Sequence, residues 1–264
     1  MAKLPTYFIS HGGGPWPWLP DMRAGMALLE KSLAAMPSEI GETPKAILMI
    51  SGHWEQDDFA VMGAANPPMV YDYGGFPDFT YHIKYSAPGA PAIAARVVEL
   101  LKAAGLPTHL NTTQGFDHGV FAPMQIMYPA ADVPLFQVAI RHDYNPAAHI
   151  ALGRALAPLR DEGVLIVGSG LSYHNMRGFG PQGKLPSAEF DAWLNGALMA
   201  APAKREEMLL AWEKAPSARA CHPQEDHLIP LMAAVGAAEN EKATRVYYDQ
   251  AVFGNITASS YRFG

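Results

Sequence analysis

Residues 46–54 read Ala46-Ile47-Leu48-Met49-Ile50-Ser51-Gly52-His53-Trp54, an apolar run that ends in a histidine. A short apolar run of this kind is typical of a strand buried on both faces. The small residues Ser51 and Gly52 leave room for a bound ion beside the imidazole. The stretch therefore predicts a core strand that carries His53 to the carboxyl edge of a sheet, where ligands bind in open α/β sheets.

Similar patterns on either side of this stretch extend the sheet. Apolar runs predict buried strands at Tyr7–Ser10, Ala46–Ser51, Ala60–Met62, Val133–Ile140 and Val164–Gly168. Helical periodicity occurs at Met22–Met36, Ala90–Ala104, Phe121–Tyr128, Ala147–Leu159, Ala188–Met199, Lys204–Lys214 and Asp226–Ala237. Two late runs, Thr244–Asp249 and Ile256–Phe263, are expected to close the sheet. We predict one α/β domain over residues 1–264, with a mostly parallel or mixed sheet flanked by helices.

Composition excludes several classes of protein. The chain has 264 residues, of which 49% are hydrophobic and 17% charged, so it is long and apolar enough to form a full core. Its formal net charge of -6 argues against nucleic acid as a partner, because such binding needs concentrated Lys and Arg. No apolar stretch approaches the roughly 20 residues of a membrane span, and Cys221 is the single cysteine. We expect a cytoplasmic protein without a membrane partner.

A long segment without regular periodicity separates the first strands from the first long helix after them. Residues 66–91 are dense in proline, glycine and aromatic residues, which favours an ordered loop. Loops of this length are often lids or binding walls. We expect this loop to form one wall of a pocket.

Three histidines follow predicted strands directly or closely. They are His11, His53 and His174, and each has Gly, Ser or Trp nearby. If their strands are neighbours, the three imidazoles meet in one crevice. Imidazole is the commonest metal ligand and titrates near neutral pH, so the pattern predicts a metal centre with acid and base catalysis.

The glycines after His11 allow a ligand to approach the backbone closely. The stretch is Ser10-His11-Gly12-Gly13-Gly14-Pro15. It lacks the Gly-x4-Gly-Lys-Ser/Thr pattern of a phosphate-binding loop, so we do not expect a nucleotide.

A fourth group of possible ligands lies before the last predicted helix, at Cys221-His222-Pro223-Gln224-Glu225-Asp226-His227. His222 and His227 are five residues apart, whereas zinc proteases space two histidines four apart on one helical face. Asp226 also suits the first turn of a helix, where a negative charge is stabilising. From spacing alone, His222, Glu225, Asp226 and His227 all remain candidate ligands.

His118 follows an acidic residue in Gly115-Phe116-Asp117-His118-Gly119. A carboxylate can orient an imidazole and fix its tautomer, although adjacent residues of a strand point apart. His118 is therefore a candidate for substrate contact or proton transfer.

Together these motifs resemble the class III extradiol ring-cleavage dioxygenases, and the branch they most resemble is the DOPA 4,5-dioxygenase type, related to the catalytic subunit of protocatechuate 4,5-dioxygenase. The resemblance covers nearly the whole chain in the family's order. It rests on His11-Gly-Gly-Gly-Pro15, Ser51-Gly-His53-Trp54, Tyr73-Gly-Gly-Phe-Pro77, Tyr85-Ser-Ala-Pro-Gly89, Gly115-Phe-Asp-His-Gly119, Tyr173-His174-Asn175 and Glu225-Asp-His-Leu-Ile-Pro-Leu231.

The resemblance implies a nonhaem Fe(II) site held by His11, His53 and His227, with Zn(II) as the alternative metal. It also implies His174 as the acid/base catalyst and His118 as a second active-site histidine. His227 stands where the protocatechuate branch has a glutamate, so a catecholate anion would balance the metal charge. The expected reaction opens a catechol with dioxygen to a muconic semialdehyde.

Two further residues are candidates for substrate contact. Trp54 is expected to line the site, and Arg177 is expected to bind a substrate carboxylate. The expected partners are a small catechol and dioxygen. A homodimer is one option for the oligomeric state. The sequence does not choose among catechols.

Two alternatives compete with the dioxygenase. A zinc-dependent hydrolase would use the same imidazoles, since histidine suits both metals. A noncatalytic binding protein resembling the Memo-type relatives would need a cysteine among its site residues, and Cys221 does not match a ligand position.

Overall fold

The computed structural model describes residues 3–264. Its strands are β1 Thr6–Ser10, β2 Ala46–Ser51, β3 Glu55–Gln56, β4 Val61–Met62, β5 Leu110–Asn111, β6 Leu135–Gln137, β7 Ile140–Arg141, β8 Val164–Gly170, β9 Ala243–Val252 and β10 Ile256–Phe263. Its α-helices are α1 Pro20–Gly25, α2 Ala27–Ile40, α3 Pro91–Ala103, α4 His118–Met127, α5 Pro146–Leu156, α6 Lys184–Met199, α7 Pro202–Leu210, α8 Ala218–Cys221 and α9 Ile229–Gly236. Short 3-10 turns lie at Trp16–Trp18, Asp78–His82, Ala157–Arg160, Met176–Gly178, Pro181–Gly183 and Trp212–Lys214.

Six strands form the central sheet in the order β6-β2-β8-β1-β10-β9. The pairs β2–β6, β2–β8 and β1–β8 are parallel, whereas β10 is antiparallel to both β1 and β9. The predicted single α/β domain with a mixed sheet is thus confirmed. In particular β2, β8 and β1 are neighbours, which is the condition for their carboxyl ends to meet.

Helices cover the sheet on both faces. Ser169 of β8 donates its hydroxyl hydrogen bond to the Gly119 carbonyl of α4. The neighbouring Gly168 instead lies against the Pro230 backbone of α9. Because successive strand residues point to opposite faces, α4 and α9 lie on opposite sides of the sheet. The central strands β1, β2 and β8 are buried throughout, which explains why their sequences are continuously apolar rather than alternating.

Among the predicted elements that differ from the structure, three are informative. The run Val133–Ile140 is divided into two short strands. After β6 the chain leaves the central sheet, and the backbone N–H of Ile140, in β7, donates to the Trp54 carbonyl beside β3. The run Met22–Met36 forms two helices, α1 and α2, that are separated at Met26. The last predicted helix begins at Ile229 instead of Asp226, so residues 226–228 form the turn before α9.

Within residues 3–264, no helix combines the length and the apolar character needed to cross a bilayer.

Candidate metal centre and substrate pocket

The strand register brings His11 and His53 to one level of the sheet. Ser10 of β1 pairs with Gly170 of β8, and Ser51 of β2 pairs with Ser169 of the same strand. His11 therefore leaves the sheet one residue beyond the pairing, and His53 two residues beyond it. Their ring centroids are 4.9 Å apart. The strand ends thus bring these two imidazoles close together.

His227 reaches the same place because glycines let its backbone lie on the strand ends. A Cβ on Gly170 would approach the His227 carbonyl oxygen to 2.0 Å, and one on Gly52 would approach the Asp226 carbonyl oxygen to 2.9 Å. The Leu171 N–H donates to that His227 carbonyl at 3.0 Å. The turn before α9 is thus held directly against Gly170. Any side chain at position 170 would displace this turn.

Replacing Gly170 with alanine is therefore expected to destabilise the fold by about 1–3 kcal/mol, because backbone must shift to admit the methyl group. Denaturant unfolding of the metal-free protein measures the change. Gly196→Ala is the matched control: it lies inside α6 with no atom within 4 Å of the new Cβ, so helix propensity predicts unchanged or higher stability. Equal effects of the two substitutions would contradict the packing argument.

Five imidazoles line one pocket. Its volume is about 500 Å³, within the range of small-ligand sites. The lining residues are His11, Gly12, Gly13, Gly14, Met22, His53, Asp72, Tyr73, Gly74, Phe76, His118, Leu171, His174, Met176, Phe179, His227 and Phe253. The five candidate ligands and catalysts predicted from the sequence are therefore brought together.

Two carboxylates orient the imidazoles. Asp226 Oδ2 accepts from His227 Nδ1 at 2.7 Å, and Asp72 Oδ2 lies 3.2 Å from His53 Nδ1. Asp72 also lies 2.9 Å from His118 Nδ1 through each of its oxygens. A carboxylate at Nδ1 holds the proton there and leaves Nε2 with a free lone pair, the form that ligates metals.

These contacts fit a bound cation. The Nε2 atoms of His53 and His227 are 3.0 Å apart, and with each Nδ1 facing a carboxylate their lone pairs point at each other. Such a pair is repulsive unless a cation shares the two lone pairs. Both ring nitrogens of buried His11 also have no hydrogen-bond partner among the described residues. The donor set of neutral imidazoles suits Fe(II) and Zn(II) alike.

Burial keeps three of the imidazoles neutral. Loss of solvation lowers the pKa of His11 and of His53 well below the usual histidine value, and the neighbouring histidines lower it further. Burial also lowers the pKa of His227 to about 4, against the opposing effect of the Asp226 hydrogen bond. Neutral imidazole is the metal-binding form, so no proton has to leave these rings before a metal binds near neutral pH.

The geometry offers more than one ligand set. The ligand atoms of His11, His53 and His118 lie within 4.8 Å of one another, and so do those of His174, Asp226 and His227. The set His11, His53 and His227, implied by the resemblance, takes members from both groups. That assignment stays a prediction.

His174 lies at the other side of His227. The backbone N–H of His174 donates to the Cys221 carbonyl at 3.0 Å. The His174 ring stacks on the His227 ring, with centroids 3.4 Å apart. Its Nδ1 faces Asp226 Oδ1 at 3.8 Å. Although burial opposes it, the hydrogen bond with His227 and the proximity of the His174 ring lower the pKa of Asp226 below the usual range, which keeps this carboxylate ionised between them.

The orienting partner of His118 was not the one suggested by the sequence. His118 is the first residue of α4 rather than part of a strand, and Asp72 contacts its ring. Asp117 instead accepts from the Ser51 hydroxyl at 2.8 Å, and burial followed by the charge of Asp72 raises the pKa of Asp117 to about 6. Asp72 immediately precedes the Tyr73-Gly-Gly-Phe-Pro motif, which was the available sequence signal.

The loop of residues 66–91 contributes a pocket wall, as expected. Asp72, Tyr73, Gly74 and Phe76 line the pocket. The loop is fixed by hydrogen bonds from the Tyr71 hydroxyl to the Ile83 carbonyl at 2.6 Å and from the Tyr73 hydroxyl to the Thr80 carbonyl at 2.7 Å. It therefore presents Asp72 from an ordered segment.

Replacing Asp72 with alanine is expected to weaken metal binding by roughly 10- to 100-fold, as is typical when a carboxylate that orients a ligating imidazole is lost. Competition with a chromophoric chelator measures the affinity. Asp78→Ala is the matched control, since it removes the same group from the same loop at a side chain that is 97% exposed. Unchanged affinity in the Asp72 variant would show that this carboxylate does not orient a ligand.

The remaining predicted residues lie outside the lining. Trp54 is buried, and its indole N–H has no partner among the described residues. Arg177 is exposed, on the 3-10 turn that follows His174. Their substrate contacts stay predictions. His222 is fully buried, with Nε2 3.1 Å from the Ser172 carbonyl, and Cys221 donates to the Pro186 carbonyl at 3.2 Å.

Comparison with known proteins supplies independent information. A family model described as the catalytic LigB subunit of aromatic ring-opening dioxygenase matches residues 7–264. A relative from Beta vulgaris named 4,5-DOPA dioxygenase extradiol is 38% identical over 262 residues, which cover 98% of this chain and 96% of the relative. A relative of the same name from Escherichia coli K12 is 31% identical over 272 residues, which cover 100% of this chain and 96% of the relative.

A solved structure has the same fold. The crystal structure of an uncharacterized Escherichia coli K12 protein superposes with a TM-score of 0.80 at 29% identity, and the alignment covers 99% of this chain and all of that one. The architecture is therefore that of a known group of proteins.

Proposed function

Because the chain belongs to the family of the catalytic LigB subunit of aromatic ring-opening dioxygenases, we propose that it is an Fe(II)-dependent extradiol dioxygenase that opens a catechol beside its diol to a muconic semialdehyde. The family and its curated relatives support an extradiol dioxygenase as the general class. The observation that carries the proposal is the facing pair of His53 and His227 Nε2 atoms, 3.0 Å apart in a pocket large enough for a small aromatic ligand.

In this proposal His11, His53 and His227 hold the metal, which supplies a path for electrons from the catecholate to dioxygen. Their neutral rings add no charge, so the catecholate balances the cation. Asp72 and Asp226 keep the Nδ1 protons of His53 and His227 in place, which leaves Nε2 free. Gly12, Gly14, His11 and His227 are buried where they line the pocket, which limits the access of bulk water to that part of the reacting ring.

His174 is the proposed acid/base group. With Nδ1 turned toward Asp226, its Nε2 is the atom that accepts a hydroxyl proton from the bound catechol. The ionised Asp226 stabilises the resulting imidazolium. We propose that His118, whose Nδ1 lies 2.9 Å from Asp72 and whose ring centroid is 4.0 Å from that of His53, assists this proton transfer.

The test is a metal-dependent activity screen. The protein is purified without oxygen, loaded with Fe(II) or Zn(II), and assayed for dioxygen uptake with a panel of catechols. Uptake that needs Fe(II) and yields the yellow ring-opened product is expected. Absence of uptake with Fe(II) across the panel would contradict the proposal, and ester or amide hydrolysis by the Zn(II) form would replace it with the hydrolase.

A further inference from the structure

Arg205 is a buried arginine whose donors lack acceptors. It lies in α7 and is 2% exposed, and its Nε and Nη1 atoms make no hydrogen bond to any described residue. Its guanidinium carbon lies 5.8 Å from the centre of the Phe263 ring, a contact that recovers only part of the hydration a buried cation loses. Burial lowers the pKa of Arg205 from the usual arginine value, but arginine keeps its proton near neutral pH. A buried positive charge is therefore left without an anion among the described residues.

A second buried arginine of the same region is fully paired. Arg160 donates from Nε to the Leu4 carbonyl at 2.6 Å, and from Nη1 and Nη2 to the two carboxylate oxygens of Glu241 at 2.8 and 2.6 Å. Lys3 lies 3.1 Å from the same carboxylate. Glu241 is thus engaged by two other cations, although it borders the same cavity as Arg205.

That cavity has a positive lining and a volume of about 380 Å³, enough for a small ligand. Lys242, which is exposed, adds a second cation to Arg205. Ala201 and Pro202, the N-cap and first residue of α7, also border it, and no side chain caps this helix. Unpaired N–H groups and the dipole at a helix N-terminus favour an anion.

The cavity lies at the other end of the sheet from the histidines. Ala243, in its lining, pairs with Phe263, which pairs in turn with Thr6 at the amino end of β1. His11 follows the carboxyl end of β1, about 16 Å farther along the strand. The two cavities share no lining residue, so a ligand here would not contact the proposed metal ligands.

We propose that Arg205 and Lys242 form a binding site for a phosphate dianion, carried by inorganic phosphate or by a small phosphate monoester. Two cations and a helix N-terminus match two negative charges, whereas a carboxylate would match only one. The planar fork of arginine suits bidentate binding of phosphate oxygens, which would supply the acceptors that the Arg205 donors lack. This site is independent of the dioxygenase function.

Calorimetric titration of the full-length, metal-loaded protein tests the site. Inorganic phosphate, glycerol 1-phosphate and acetate are titrated separately at constant ionic strength and about pH 8, where phosphate is mostly a dianion. The better of the two phosphates is expected to bind at least about tenfold more tightly than acetate, and their order identifies the free or the esterified form as the ligand. Equal binding of acetate, or no binding of either phosphate, would overturn the proposal.

Variants separate this site from binding at the metal. Arg205→Met should weaken phosphate binding by more than about tenfold, and Lys242→Gln, which removes an exposed charge, by roughly two- to fivefold. Arg96→Met is the matched control, because Arg96 is 43% exposed on α3 and lies outside the cavity, and it should leave the affinity unchanged. Phosphate bound at the metal would survive Arg205→Met, so unchanged affinity in that variant would contradict the proposal.

A measurement on the unsubstituted protein keeps the test decisive even where Arg205→Met does not fold. The Nε–H signal of Arg205 in proton–nitrogen correlation spectra of the Zn(II)-loaded protein is identified by its loss in Arg205→Lys. Phosphate is expected to shift this signal in a saturable way, with the affinity found by calorimetry. A signal that stays in place while phosphate binds would show that the anion binds elsewhere, and the proposal would be wrong.

Discussion

Replacing His227 with alanine is expected to abolish stoichiometric metal binding, and His11→Ala and His53→Ala should have the same effect. Loss of a group that only orients a ligand already costs roughly 10- to 100-fold in affinity, so loss of a ligand should cost more than about 100-fold. Metal content after anaerobic Fe(II) loading and gel filtration, measured by mass spectrometry, checks the result.

The structure makes His118 the decisive comparison. Its ligand atom lies within 4.8 Å of those of His11 and His53, so geometry alone also permits a site built from these three. If the proposed set is correct, His118→Ala retains the metal and His227→Ala loses it. The reverse pattern would assign His118 as the third ligand and leave His227 as a neighbour.

Two controls make the comparison specific. His82→Ala removes an imidazole that is 73% exposed in its side chain and lies outside the pocket, so it should retain full metal content. Unfolding curves of the metal-free variants separate loss of a ligand from loss of the fold. His222→Ala tests the other histidine of residues 221–227. Because the His222 ring is buried outside the pocket lining, this variant should keep its metal, and metal loss without unfolding would show that His222 contributes to the site.

The strand ends could be predicted because their signal is local. Continuous apolar runs identify β1, β2 and β8, and each is closely followed by a histidine with glycine or serine nearby. The sheet order that makes these strands neighbours requires distant pairings, so the sequence could state it only as a condition. Once that condition is met, the positions of His11 and His53 follow from the register.

The partners of these histidines could not be predicted in the same way. Asp72 approaches His53 and His118 from a loop that has no periodicity, and its position depends on hydrogen bonds that tyrosines make within the loop. Asp117 was the nearest acid in sequence, but the start of α4 directs it to Ser51. Proximity along the chain was therefore a poor guide to orientation.

The apolar residues of the pocket lining were missed for a related reason. Met22, Phe179 and Phe253 occur in three unrelated segments, and each has the composition of an ordinary packing residue. Nothing in their local sequence distinguishes a pocket wall from core. Only their convergence on the pocket that the five histidines line indicates that they border a binding site.

Replacing His174 with alanine is expected to lower kcat by about 10²- to 10⁴-fold while metal content stays stoichiometric, because general acid/base catalysis contributes on that scale. The ring faces Asp226 on one side and stacks on His227 at 3.4 Å, so it lies beside the proposed ligand. Steady-state dioxygen uptake with a catechol that binds well, measured on the Fe(II)-loaded variant, checks the rate.

The binding and rate measurements together assign the role of His174. If it transfers the proton, anaerobic catechol affinity should change much less than kcat, because the substrate still reaches the metal. Metal loss in the His174 variant would instead place this ring among the ligands. A matched His118→Ala enzyme that keeps its metal should lose less activity, because His118 is proposed only to assist; a larger loss there would exchange the two roles.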